Sequence, residues 1–170
     1  MLKIAVQGAK DAGATVTTIS LADIPLPIYD GDIESEQGMP ANGRKLKDLF
    51  LSHDGLLIAS PEYNGSLTAA LKNALDWASP PETGEARLAC YQGKVAGLVA
   101  TGGGFGGARS LLHLRQILAG MGALVIPSQL TIANGAQAFD ENGTLKDDRQ
   151  RTSAASVGAS LASTVAKITA

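Results

Sequence analysis

Two uninterrupted apolar runs, Gly55-Leu56-Leu57-Ile58-Ala59 and Val95 to Ala100, constrain the fold of this chain most. A strand with one wet face alternates apolar and polar residues, whereas an unbroken apolar run suits a strand covered on both faces. A third, shorter run follows at Leu124-Val125-Ile126. The stretches between them have helical spacing. Leu67 to Trp77 carries Leu71, Ala74, Leu75 and Ala78 on one stripe, and Arg109 to Met121 reads as a second helix. Strand and helix alternating at this interval predict βαβ units and a parallel sheet with helices on both faces. The expectation is a doubly wound α/β domain.

The flanks are assigned in the same way. Leu2, Ala5, Val6, Ala9 and Ala12 recur at helical spacing, with Gly13 placed as a C-terminal cap. Leu2, Ile4 and Val6 also alternate, but a first strand there leaves only Gln7 to Ala14 for a crossover. A parallel connection needs about a dozen residues or more, so the helical assignment prevails. Val16-Thr17-Thr18-Ile19 is β-branched and predicts a short strand. Pro25 and Pro27 open an irregular loop through Gly31, a helix spans about Asn42 to Ser52, and a closing helix runs from Leu145 to Ile168. No linker or repeat intervenes, so residues 1–170 are expected to form one domain.

Composition excludes several classes. The net charge of −2 and scattered Lys and Arg give no electrostatic reason to bind nucleic acid or an anionic membrane. The single Cys90 cannot form an intramolecular disulfide, and two histidines do not complete a zinc site with it. Its neighbourhood beside Tyr91 favours a structural role. Met1-Leu2-Lys3 does not open a signal peptide, and no apolar run has the length that spans a bilayer. A cytoplasmic protein is expected.

Ligands of such sheets bind beyond the carboxyl ends of the strands. Two loops have that location. Ser60-Pro61-Glu62-Tyr63-Asn64-Gly65-Ser66 offers peptide donors and a flat tyrosine face, with Ser66 placed as a helix N-cap. The competing reading is that Pro, Asn and Gly simply make a tight turn. Thr101-Gly102-Gly103-Gly104-Phe105-Gly106-Gly107 lets a ligand approach the backbone closely. It is not a dinucleotide fingerprint, because no ribose-binding acid follows at the right interval. Ser66 and Ser110 lack a nucleophile elbow, His53 and His113 look like helix residues, Asp30 and Asp32 read as solvated acids, and no Walker phosphate loop is present.

Ser60-Pro-Glu-Tyr-Asn-Gly-Ser66, followed by Leu71-Lys-Asn-Ala-Leu-Asp-Trp77, resembles the signature of NAD(P)H-dependent FMN reductases of flavodoxin-like fold. That family includes quinone, azo-dye and chromate reductases. The Thr101–Gly107 loop and the helix through Leu118 resemble its second flavin loop. The resemblance implies a three-layer αβα domain, FMN as cofactor and NADPH or NADH as reductant. Pro61, Glu62, Tyr63, Asn64 and Ser66 would edge the flavin on one side, with Thr101, Gly102, Gly103 and Gly104 on the other. Hydride would arrive from nicotinamide, and a quinone, free flavin or similar small acceptor would take the electrons from the same cleft, giving ping-pong kinetics. No side chain is assigned as catalytic. A homodimer or homotetramer is implied, with Leu71, Ala74, Leu75 and Trp77 either at a subunit contact or in the core.

The family pattern opens with a strand and a Gly-Ser-x-Arg-x-x-Ser-x-Asn phosphate loop, whereas this chain opens within the first helix. The expectation is a sheet without its usual first strand, in which Val16–Ile19 pairs directly with Gly55–Ala59 or a partner lends a strand, and weak FMN affinity. Two further readings compete: an FMN-binding electron carrier without NAD(P)H turnover, and a remnant that no longer binds flavin. The small net charge argues against the carrier, since carriers are often strongly acidic.

Overall fold

Strands β1 (Gly55–Pro61), β2 (Val95–Thr101) and β3 (Leu124–Ile132) form one parallel sheet in the order β1-β2-β3 in the computed structural model, which describes residues 1–170. All but the last residue of β2 is buried, as its unbroken apolar run demands. Its residues alternate between two cores. Ala96, Leu98 and Ala100 face α4 (Ala69–Ala78) and α5 (Ala108–Gly120), where Leu71, Leu75, Leu111, Leu114 and Leu118 pack. Val95 faces α7 (Asp148–Thr169), joining Ile126, Leu161 and the half-buried Leu57 and Val165. Helix α3 (Ala41–Leu51) packs against α4, and α1 (Leu2–Asp11) packs along α7. The result is the three-layer αβα arrangement expected from the apolar runs.

The α1–α7 contact is backbone to backbone. A methyl group on Gly8 would run into the Ala155 carbonyl, and one on Gly158 into the Ala5 carbonyl. Glycine usually weakens a helix interior by roughly 0.5–1 kcal/mol relative to alanine. Here it permits an approach that no other residue allows.

Several boundaries differ from the sequence expectation. Val16–Ile19 forms no strand, and β1 pairs only with β2. Thr15–Ile19 makes no backbone hydrogen bonds. A groove of about 460 Å³, lined by Leu2, Val6, Leu57, Leu161 and Val165, separates this segment from the free edge of β1. Thr17 is held instead by its side chain, 2.8 Å from Nε2 of His53. β-branched composition suits a strand, but without an adjacent edge there is no ladder to join. His53 itself lies just past α3 rather than within a helix.

Strand β3 runs past Pro127, which lacks a ladder donor; an irregularity in register between Ala96 and Leu98 absorbs it on this edge strand. The loop through Gly31 contains a short helix, α2 (Gly31–Gln37), whose N-cap Asp30 accepts the Asp32 amide. A one-turn helix, α6 (Gly135–Ala138), follows β3, and the closing helix starts at Asp148, where the Asp147 carboxylate caps the Arg149 and Gln150 amides.

The Leu71–Trp77 stripe is core: Leu71, Ala74, Leu75 and Trp77 are all buried within the chain, so they are not available for a subunit contact. The polar residues of the same helix fix the preceding loop. Asn73 accepts from the Tyr29 amide at 2.7 Å and donates to the Pro27 carbonyl at 2.8 Å, while Trp77 Nε1 donates to the same carbonyl at 2.7 Å. Tyr29 meets Trp77 edge-on, with centroids 5.0 Å apart. Cys90 is fully buried and its thiol donates to the Ala78 carbonyl at 3.0 Å; burial pushes the thiol up to about 11, consistent with a structural role.

Lys47 on α3 is buried to 1% exposure, and its ammonium meets the Pro80 carbonyl and the Glu85 carboxylate. Arg44, one turn earlier, reaches Asp48, Glu82 and Glu85. The network fixes the segment that follows α4. The Lys47 ammonium, aided by Arg44, holds Glu85 down to about 2.

This packing makes two contacts testable. Gly158→Ala should lower stability by about 1–3 kcal/mol, despite alanine's higher helix propensity, because overpacking outweighs it. At roughly 2–4 °C per kcal/mol for a chain of this size, calorimetry should record a drop of several degrees in Tm. A depressed carboxylate stabilises the fold above its unfolded pKa, about 4.3, and loses that contribution as pH falls through the folded value. Glu85→Gln should therefore melt below the wild type at pH 7, with the gap closing between about pH 4.5 and pH 2. A gap that persists unchanged at pH 2 would contradict the assignment.

Candidate functional site at the strand ends

The parallel register places Pro61 opposite Thr101, and Thr101 opposite Ile132. The loops that leave these residues therefore share one end of the sheet. The first is a tight turn in which the Tyr63 amide donates to the Ser66 carbonyl at 3.0 Å, and the Ser66 amide returns to Tyr63 at 3.1 Å. Asn64 and Gly65 between them have φ of 50° and 86°. An Asn-Gly pair is favoured in such two-residue turns because both residues need positive φ. The turn leaves the Asn64 and Gly65 amides with no acceptor in the chain.

The glycine loop packs directly beside it. The Glu62 amide donates to the Thr101 carbonyl at 3.3 Å. Gly102 has no room for a side chain, because a Cβ would lie 2.9 Å from the Gly107 nitrogen. Gly103 and Gly104 face open space, and their amides, with that of Phe105, have no acceptor. Tyr63 and Phe105 are each more than three-fifths exposed and flank this surface.

The side chains divide into those free to meet a ligand and those already engaged. The Glu62 carboxylate accepts from the Arg109 backbone amide at 3.2 Å, from Arg109 Nε at 2.8 Å and from Arg109 Nη2. The Arg109 guanidinium holds it below the usual carboxylate range. Ser66 is not a helix cap: helix α4 begins at Ala69, and Thr68 caps it by accepting the Leu71 amide. The Ser66 hydroxyl instead sits 2.9 Å from Nδ1 of His113. Thr101 donates to the Ile132 carbonyl at 3.1 Å. Buried Ser110 donates to the Pro61 carbonyl at 3.2 Å.

A third loop, unrecognised in the sequence, supports the second. The Asn134 and Gly135 amides donate to the Gly103 and Gly102 carbonyls at 3.0 Å, and the Gly102 amide donates to Ile132 at 3.2 Å. The Asn134-Gly135 dipeptide after an apolar run was its signal. No local signal marks Arg109 or His113, whose partners lie on a different loop.

A planar ligand with a polar edge fits this surface. Five amides without an acceptor on two adjoining loops supply donors, the bare Gly103 and Gly104 admit close approach, and two aromatic side chains frame it. These features suit the ring of an FMN.

Comparison with known proteins agrees. Residues 1–137 match the family model described as NADPH-dependent FMN reductase. An NADPH:quinone oxidoreductase of Arabidopsis thaliana is 37% identical over 153 residues, covering 87% of this chain and 74% of the relative. An NAD(P)H-dependent FMN reductase of Pseudomonas aeruginosa is 38% identical over 138 residues, covering 79% and 71% respectively. Among solved structures, a flavoenzyme NAD(P)H:(acceptor) oxidoreductase from Paracoccus denitrificans superposes with a TM-score of 0.75 at 24% identity, over 98% of this chain and 87% of that one. An archaeal flavodoxin superposes at 0.62 with 14% identity, covering 96% and 87%. These structural likenesses establish the flavodoxin-like fold, and the sequence matches establish that the chain belongs to the NADPH-dependent FMN reductase family.

Proposed function

We propose that this chain, acting as one domain over residues 1–170, is an FMN-dependent oxidoreductase that passes electrons from NADPH or NADH to a quinone, free flavin or similar small acceptor. The observation that carries this reading is the junction of two strand-end loops with five unaccepted amides in a chain of this family. FMN, when bound, supplies the redox chemistry.

The chain's own residues position the ring. Asn64, Gly65, Gly103, Gly104 and Phe105 offer amides to its polar edge, where donors favour negative charge in the reduced state. Pro61 and Tyr63 frame one side. Thr101, Gly102, Ser66 and Glu62 serve by holding the loops, because their polar groups are already engaged. Quinone as acceptor is favoured by the names of the relatives from Arabidopsis thaliana and, at 40% identity over 109 residues, Escherichia coli. Exposed Tyr63, Phe105 and Leu112 offer apolar surface to a second copy, so a homodimer or homotetramer is part of the proposal, as, separately, is a cytoplasmic location.

Titration with FMN, followed by flavin fluorescence, is expected to show saturable binding, and NADPH oxidation with a benzoquinone should give parallel double-reciprocal lines. A chain that binds no FMN would overturn the reading; intersecting lines would overturn the shared cleft. Light scattering should return a mass above that of one 17.4 kDa chain. Gly104→Leu should raise the FMN Kd about tenfold or more, since roughly 1.4 kcal/mol of lost contact suffices. Its Tm should stay within about 2 °C of the wild type, because a side chain there meets nothing in the protein.

A further inference from the structure

We infer that Glu62 and Arg109 are a positioning pair, whose charged contact sets the relative placement of the two loops that receive the flavin. The inference deepens the proposed function and rests on it. It starts from an incomplete helix end. Helix α5 begins after Gly107, which has no side chain with which to cap the first-turn amides. Glu62 supplies the missing acceptor from the neighbouring loop, through one carboxylate oxygen to the Arg109 amide. Its other oxygen takes two donors of the guanidinium of the same residue.

The contact is thus a cap and a forked ion pair at once. A carboxylate at a helix N-terminus is favoured by the helix dipole as well as by the hydrogen bonds. The Glu62 side chain is only 8% exposed, while that of Arg109 is 51% exposed. The Arg109 guanidinium then lies over the Phe105 ring, 4.7 Å from its centroid. Glu62 belongs to the first loop, Arg109 to the helix, and Phe105 to the glycine loop. One chain of contacts therefore spans the whole ligand surface, linking the unaccepted amides of Asn64 and Gly65 to those of Gly103, Gly104 and Phe105.

Two further contacts run parallel to it on the same helix. Ser110 reaches the Pro61 carbonyl, and His113 meets Ser66. They keep the loops in proximity when the charged contact is lost, so its removal is expected to disturb alignment more than folding. An ion pair with a half-exposed arginine adds little to stability by itself. Hydrogen bonds to a ring edge, by contrast, weaken steeply when donors are misaimed.

The test uses the full chain and the single variants Glu62→Gln, Arg109→Met and Arg109→Lys, together with a double variant that combines Glu62→Gln and Arg109→Met. The readouts are FMN Kd, visible circular dichroism of the bound flavin, and Tm. Glu62→Gln and Arg109→Met are each expected to raise Kd about tenfold, equivalent to one or two misaligned hydrogen bonds, and to change the dichroism. The double variant should be no worse than the weaker single variant, since both break one contact. Arg109→Lys, which keeps the charge but not the fork, should fall between Arg109→Met and the wild type. Tm should shift by no more than about 4 °C in the single variants. Wild-type Kd and dichroism in Glu62→Gln, or losses that add in the double variant, would overturn the pairing while leaving the proposed function intact. A variant that fails to fold would overturn the claim that the pair acts on alignment rather than folding. Absence of FMN binding by the wild type would overturn both.

Discussion

Strand β2 is hydrogen-bonded on both edges and covered on both faces, and the site depends on it. Its pairing brings Pro61, Thr101 and Ile132 level at one end of the sheet. In a parallel sheet every strand points the same way, so the loops that leave these three residues emerge together. A slip by one residue would turn each side chain to the opposite face and exchange the residues packed into the two cores. The apolar run from Val95 to Ala100, packed between α4–α5 and α7, makes that slip costly. The geometry of the candidate site is therefore a consequence of core packing.

The residues that make the family signature recognisable divide in the same way. Asn73 and Trp77 do not approach the strand ends; they pin the Pro27–Tyr29 segment against α4 through the Pro27 carbonyl and the Tyr29 amide. Glu62 and Ser66 lie in the loop itself, yet their side chains turn to α5 rather than outward. What remains for a ligand is mostly main chain. A surface built from peptide amides suits a heterocycle whose charge changes during the reaction, because fixed dipoles need no reorganisation as charge develops.

The free edge of β1 and the extended Thr15–Ile19 segment face a groove between them. Helices α1 and α7 roof it with apolar side chains, and their close crossing at Gly8 and Gly158 is independent of any strand in the groove. The sheet is accordingly anchored from its α7 side even where β1 carries no second partner. This is why Val16–Ile19, strand-like in composition, stands apart: backbone pairing needs an edge within about 5 Å, and helix packing has set the spacing first.

Periodicity and unbroken apolar runs were sufficient to determine the layers, the parallel sheet and the location of the two candidate loops at the strand ends, because each is governed by local burial. The Asn64-Gly65 pair likewise encoded its own turn, since only residues tolerant of positive φ suit it. Three features were decided by tertiary structure. The extension of β3 past Pro127 depends on its being an edge strand. The buried Lys47 on α3 depends on Glu85, which lies beyond the next strand and helix in sequence. The pairing of Glu62 with Arg109 joins residues that no pattern links, one just past a strand and the other in the first turn of a helix. Charge contacts of this kind carry no sequence period. They exist only where packing has already fixed two chain segments side by side, so they become visible after the fold and not before it.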